Sequence, residues 1–234
     1  MVDHESDINR QSEPIKLSDD SRRAKSRLFF GGSFDPPHIG HTELPMSIAG
    51  QLDGAHVIFV PAARSPFKDD APAKDHHRIE MIKIAMGGYR GWEIWEQELH
   101  DATMNPNQPS YWADTWAIVC SMGLAGTNRF LIGTDQALSM HRWCRYEHIW
   151  KDALVVLRDQ TNSIDALSEQ LGALGVWNDT EIEHWRLQTI TADTIDASST
   201  AIREALRDPS SREDAIDGLN LGVHRYILEH DLYR

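Results

Sequence analysis

Four short apolar runs, each followed by a stretch with helical spacing, constrain this chain more than any other feature. "RLFF" (27–30) ends at Gly31-Gly32 and reads as a buried strand followed by a turn. "HVIFVP" (56–61), "RFLIG" (129–133) and "ALVVLR" (153–158) read as further strands. "IGHTELPMSIAGQL" (39–52) looks helical, with Pro45 expected in a first turn or at a kink. "HHRIEMIKIAM" (76–86) puts Ile79, Ile82 and Met86 on one helical face, with Asp75 placed to cap it. "YWADTWAIVCSMGLAG" (111–126) is helical in pattern and closes in glycine, a common helix stop. "WEIWEQEL" (92–99) alternates and reads as an edge strand, and "RLQTIT" (186–191) as a last strand. "SIDALSEQLGALG" (163–175), "SSTAIREAL" (198–206) and "LGVHRYILEHDL" (221–232) complete the helices. Strands alternating with helices imply βαβ crossovers. The fold class expected is α/β: a doubly wound, mainly parallel sheet with helices on both faces, Rossmann-like.

The 234 residues suffice for a substantial core, and 41% hydrophobic with 25% charged residues is the balance of a globular protein. Residues 1–26 hold no apolar run and read as a polar, flexible extension, with residues 27–234 forming a single domain. That extension lacks the apolar centre of a secretory signal, and no run approaches the roughly 20 apolar residues of a membrane span. A net charge of -13 argues against a nucleic-acid polymer as partner, but not against a small phosphorylated ligand in a locally positive site. Cys120 and Cys144 offer neither a disulfide framework nor metal-site spacing, which suits a reducing, cytoplasmic location. A homo-oligomer is left open.

The string "FFGGSFDPPHIGH" (29–41) follows the first strand directly. In a doubly wound sheet, ligands bind at the carboxyl ends of the strands. Gly31 and Gly32 let backbone approach a ligand closely, and the start of the next helix offers N–H groups and partial positive charge to a phosphate. His38 and His41, three apart, share a helical face and could both donate to phosphate oxygens. Each piece alone has a plainer explanation: a turn, a structural histidine pair, or part of a zinc site, for which "DHHR" (75–78) is a distant candidate supplier.

Taken whole, "GGSFDPPHIGH" resembles the signature of the bacterial nicotinate mononucleotide adenylyltransferases, within the H-x-G-H nucleotidyltransferase superfamily. "PSYWADT" (109–115), "LIGTDQ" (131–136), "HRWCRYEHI" (141–149), "ASSTAIREAL" (197–206) and "VHRYILEHDLYR" (223–234) are similar to further family segments, in the family's order. The resemblance implies an enzyme that joins the AMP part of ATP to nicotinate mononucleotide, giving nicotinate adenine dinucleotide and pyrophosphate in NAD biosynthesis. Magnesium would enter as the counter-ion of ATP, with no metal ligand from the protein.

The same resemblance assigns roles. His41 falls to the α-phosphate and His38 to the phosphates beside it. Arg203 would clamp phosphate oxygens, and Lys68 would reach them from the loop after the second strand. Gly31, Gly32, Ser33, Phe34, Gly133, Asp135, Ser198, Ser199 and Thr200 would line the ATP site, with Asp135 facing the ribose and Arg158 the adenine side. Tyr111, Trp112, Trp143 and Cys144 would bind the nicotinate mononucleotide, Trp143 by stacking. Alone, Asp135 also suits a helix cap, "SSTAIR" a capped helix with a solvated arginine, and Trp143 a core aromatic. Three positions depart from the family pattern: Phe67 where a histidine is usual, Trp112 for threonine and Cys144 for tyrosine. They bear on nicotinate against nicotinamide more than on adenylyl transfer. The competing readings are an adenylyltransferase for another acceptor, nicotinamide mononucleotide or phosphopantetheine, and a non-catalytic nucleotide-binding regulator.

Overall fold

The structure is a computed structural model, and it describes residues 13–63, 73–106, 108–158, 163–193, 195–210, 212 and 214–234. Its centre is a six-stranded parallel sheet: β1 (Ser26–Gly32), β2 (His56–Pro61), β3 (Trp92–Ile94), β4 (Thr127–Gly133), β5 (Ala153–Leu157) and β6 (Thr189–Thr191). The strand order is β3-β2-β1-β4-β5-β6. The chain thus winds outward from β1 first one way and then the other, so the switch in direction falls between β1 and β4. The crevice at the carboxyl ends of those two strands is where such sheets take ligands. Both edge strands have only three residues, which limits unpaired edge.

Both faces of the sheet are buried, and alternation along each strand sorts the side chains. Phe29, Ile58, Val60, Phe130, Ile132, Val155 and Leu157 face one core, which Trp116, Leu171 and Trp185 complete. Leu28, Val57, Phe59, Leu131, Leu154 and Val156 face the other, with Leu44, Ile48, Ile82 and Met86. The first core lies under α5 (Trp112–Ser121), α7 (Ile164–Ala173) and α8 (Asp179–Leu187), and the second under α2 (Ile39–Gln51) and α3 (Asp75–Met86). This two-sided burial is why β5 reads as the unbroken apolar run "ALVVL". A third cluster joins α3 to α9 (Ser199–Arg207) and α10 (Leu221–Glu229) through Met81, Ile202, Leu206, Val223 and Ile227.

Several local expectations need correction. Residues 1–12 lie outside the described residues, but residues 13–26 are no loose extension. Leu17 joins the first core, Ile15 exchanges hydrogen bonds with Gln97 Oε1 and Trp95 Nε1, and α1 (Asp19–Arg23) packs onto the fully buried Arg27. The Arg27 guanidinium donates to the carbonyls of Ser21, Arg22 and Ala125, satisfying the last turn of α1 as cations do at helix ends. "WEIWEQEL" is strand only as far as Ile94; Gln97 opens α4 (Gln97–Met104), which buries Gln97, Glu98 and Leu99. "RLQTIT" is strand only over its last three residues, because Arg186 and Leu187 end α8. Lys74 holds the cap position of α3, and Asp75 sits in the first turn, paired with Arg78 at 2.6 Å. Pro45 lies inside α2 rather than in its first turn.

Candidate active site

The string after β1 forms a loop (33–37) leading into α2, and His38 occupies the cap position of that helix. Its Nδ1 accepts from the backbone N–H of Gly40 at 3.1 Å. The Nδ1 of His41 accepts from the N–H of His38 at 3.4 Å, closing a capping box made of two imidazoles. The ring centroids lie 3.8 Å apart. With Nδ1 accepting in both rings, each ring proton sits on Nε2, so each ring has one outward donor. His38 is 6% exposed. Burial, and secondarily Arg158, pushes its pKa down to about 4, so it is neutral at pH 7.

The loop is braced from distant parts of the chain. Fully buried Arg78 donates to the Ser33 carbonyl at 2.8 Å, and Ser199 Oγ donates to the Pro36 carbonyl at 2.9 Å. Arg203 donates to the Asp35 carbonyl at 2.6 Å and to Thr200 Oγ1 at 3.3 Å. The buried Asp35 carboxylate accepts from the N–H of Ala73 at 3.0 Å and from the Tyr233 hydroxyl at 2.5 Å. Burial and the Asp35 charge hold that phenol well above the usual tyrosine range. Phe34 has a φ of 50° and a side chain with no exposure, packed on His41 and Phe59.

Two adjoining cavities open at the carboxyl ends of β1 and β4. The larger, about 500 Å³, is lined by Tyr111, Trp112, Trp143 and Cys144, together with Gly31, Gly32, Ser33 and Phe130. The smaller, about 330 Å³, is lined by His38, His41, Gly133, Asp135, Arg158, Ser198 and Ser199. Gly31 and Gln136 line both. At Gly31 a Cβ would lie 2.7 Å from the Trp112 ring, so glycine is what lets that indole close against the strand. Gly133, not Asp135, holds the cap position of α6 (Thr134–Ser139), and Asp135 turns to the smaller cavity. Of the residues expected at the ATP site, Gly32 and Ser33 line only the larger cavity, and Phe34, Thr200 and Arg203 line neither. Phe34 belongs to the core, and Arg203 holds the loop instead of reaching a cavity. Lys68 and Phe67 lie outside the described residues.

Sequence reasoning passed over Glu98, Gln136 and Arg142. The Gln136 side chain accepts from the N–H of Gly133 at 2.9 Å at the shared wall. Arg142 stands on the rim of the larger cavity, where Glu98 is 6% exposed. Glu98 accepts from Thr115 Oγ1 at 2.9 Å and from the N–H of Ala63. Burial outweighs both bonds and pushes its carboxyl up to about 7. Among the described residues, no group of three or more His, Cys, Asp or Glu side chains could hold a metal ion, and no helix is long and apolar enough to cross a membrane.

The ligand crevice at the switch point, the histidine-capped helix start beside it and the adjoining aromatic cavity suit a phosphorylated nucleotide on a Rossmann-like sheet. The cytidylyltransferase-like family matches residues 29–205, and the chain belongs to that family. Within it, the chain is 30% identical to the probable nicotinate-nucleotide adenylyltransferase of Pseudoalteromonas atlantica, over 88% of this chain and 93% of that one. It is 31% identical to the protein of the same description from Hydrogenobaculum sp., over 88% and 96%. Among solved structures, the fold is similar to the Plasmodium falciparum nicotinic acid mononucleotide adenylyltransferase complexed with NaAD. There the TM-score is 0.64 at 16% identity, covering 89% of this chain and 97% of that one.

Proposed function

We propose that this protein transfers the adenylyl group of ATP to nicotinate mononucleotide, giving nicotinate adenine dinucleotide and pyrophosphate. One observation carries the reading: a histidine-lined polar cavity and an aromatic cavity of ring-accepting size meet at Gly31, in a chain whose 30%-identical relatives bear that activity's name. ATP occupies the smaller cavity and the mononucleotide the larger. An oxygen of the mononucleotide phosphate attacks the α-phosphorus in line; the bond from that phosphorus to the bridging oxygen breaks, and pyrophosphate leaves with the electron pair. The attacking group is already anionic, so no covalent enzyme intermediate is needed. The protein's contribution is alignment and charge stabilisation.

In this reading the Nε2–H groups of His41 and His38 donate to phosphate oxygens as charge builds there. Ser198, Ser199 and the first N–H groups of α9 receive the outer phosphates, and Asp135 accepts from ribose hydroxyls. Arg203 acts as a positioning residue through the Asp35 carbonyl. Trp143 and Trp112 take the pyridine ring. Magnesium brought in with ATP as its counter-ion would supply charge neutralisation to the leaving pyrophosphate. Pyrophosphate release from ATP and magnesium with nicotinate mononucleotide, nicotinamide mononucleotide or phosphopantetheine tests the reading. Release with the first at the highest kcat/KM supports it; release only with another acceptor, or with none, overturns it.

A further inference from the structure

The larger cavity holds an acid for which phosphoryl transfer has no use. Glu98 sits on α4 with its carboxyl almost fully buried, accepting from Thr115 on α5 and from Ala63 just beyond β2. The ionisable groups around it are few. Asp101 lies one turn on along α4 and disfavours its charge, while Arg78 from α3 favours it. Tyr111, Arg142 and Cys144 share the cavity wall. The remaining wall is largely apolar, so a charge on Glu98 acts on a neighbouring ring with little screening.

The two pyridine mononucleotides differ in charge at one place. In both, the ring nitrogen bonded to the ribose is a cationic pyridinium. The nicotinate form adds a carboxylate, which makes the ring part neutral overall with a negative edge. The nicotinamide form adds an uncharged amide and keeps a net positive ring. An ionised Glu98 therefore attracts the second and repels the first, whereas a protonated Glu98 repels neither and can donate its O–H. Resting on the reading of this cavity as the pyridine site, we propose that Glu98 is a specificity-determining residue. Protonated, it admits the carboxylate-bearing ring; ionised, it turns the cavity toward the amide-bearing one.

The test is the ratio of kcat/KM for nicotinate mononucleotide to that for nicotinamide mononucleotide, followed from about pH 6 to about pH 8.5. Titration of ATP, the histidines and the ribose phosphate is common to both substrates and cancels in the ratio. The ratio should fall about tenfold as Glu98 ionises, the size expected for one like charge added nearby. In Glu98→Gln the ratio should be flat. In Thr115→Val the fall should move to higher pH, because the lost hydroxyl bond had favoured the ionised form. A flat wild-type ratio, or a fall that survives Glu98→Gln and vanishes in Cys144→Ser, overturns the proposal. Calorimetry in two buffers of different ionisation heat supplies a readout independent of turnover: above neutral pH, nicotinate mononucleotide should bind with proton uptake and nicotinamide mononucleotide without it. Uptake on binding with no turnover of either substrate would sink the proposed reaction and leave Glu98 its role. Turnover of the nicotinate form with a flat ratio would do the reverse, and neither binding nor turnover would overturn both.

Discussion

The two cavities share the end of β1 and are built in opposite ways. The smaller is made from strand ends and helix starts: the histidine cap of α2, the Gly133 turn, and Ser198-Ser199 before α9. The larger is made from side chains, with aromatic walls supplied by α5 and the segment after α6. Helix starts and strand ends cannot shift without moving the fold, whereas aromatic walls can be exchanged one at a time. The described departures from the family pattern, Trp112 and Cys144, both fall in the larger cavity. In the proposed reaction, chemistry is thus tied to the architecture, and choice of acceptor to replaceable side chains.

Single changes should split along that line. The largest effect is expected for His41→Ala, a loss of roughly 10²–10³ in turnover, the scale of one preorganised donor, with the circular dichroism of a folded chain and a Tm lowered by the equivalent of about 1 kcal/mol for the lost cap bond. Near-normal turnover would remove His41 from the mechanism. Next, Trp143→Ala should raise KM for the mononucleotide about tenfold or more, as loss of ring stacking does, with KM for ATP little changed. A parallel rise in both constants would mean that the cavities are not separate. Tyr233→Phe deletes one hydroxyl bond to Asp35, so Tm should fall by the equivalent of about 1 kcal/mol. KM for ATP should rise a few-fold while KM for the mononucleotide holds; an unchanged ATP constant would break the link between loop and smaller cavity.

The smallest effect lies in pH and stability. The His38 pKa is lowered from 6.5 to about 4, so the unfolded chain binds more protons in that window, and stability is lost as pH falls through it. The Glu98 pKa is raised from 4.5 to about 7, so the folded chain binds more protons there, and stability is lost as pH rises through it. The two slopes oppose one another where the windows overlap. Glu98→Gln should unmask a steeper rise of Tm with pH below about pH 6.5, and His38→Gln should give a decline instead. Identical profiles for wild type and both variants would show that neither group is perturbed as described.

Much of this was legible from residues alone. The apolar runs placed β1, β2, β4 and β5 because parallel strands buried on both faces leave an unmistakable composition. The signature string placed both histidines at the smaller cavity, and the Tyr-Trp and Trp-Cys pairs fell on the larger. What escaped was short or long-range. The alternation of "WEIWEQEL" hid the start of α4, which buries Gln97 and Glu98 rather than an apolar stripe. The signal for α8 was present and unused: Asn178 and Glu181 form a reciprocal cap at the spacing of a capping box. Residues 13–24 looked loose because their two apolar residues, Ile15 and Leu17, form no periodic pattern and their anchors, Trp95, Gln97 and Arg27, lie elsewhere in the chain. No local pattern marks Glu98 or the turning of Arg203 toward Asp35; both depend on which helices fold back over the motif.

The contact between Tyr233 and Asp35 spans 198 positions of sequence. A peptide copy of "GGSFDPPHIGH", or the same string grafted onto a foreign strand–helix turn, would carry the histidines without the buried acid's phenolic tether, the Arg78 brace or the Arg203 prop. The signature is therefore not a portable cassette. Engineering that borrows it must bring along the third helix, both closing helices and the segment after α10 that carries Tyr233, or rebuild their hydrogen bonds from scratch.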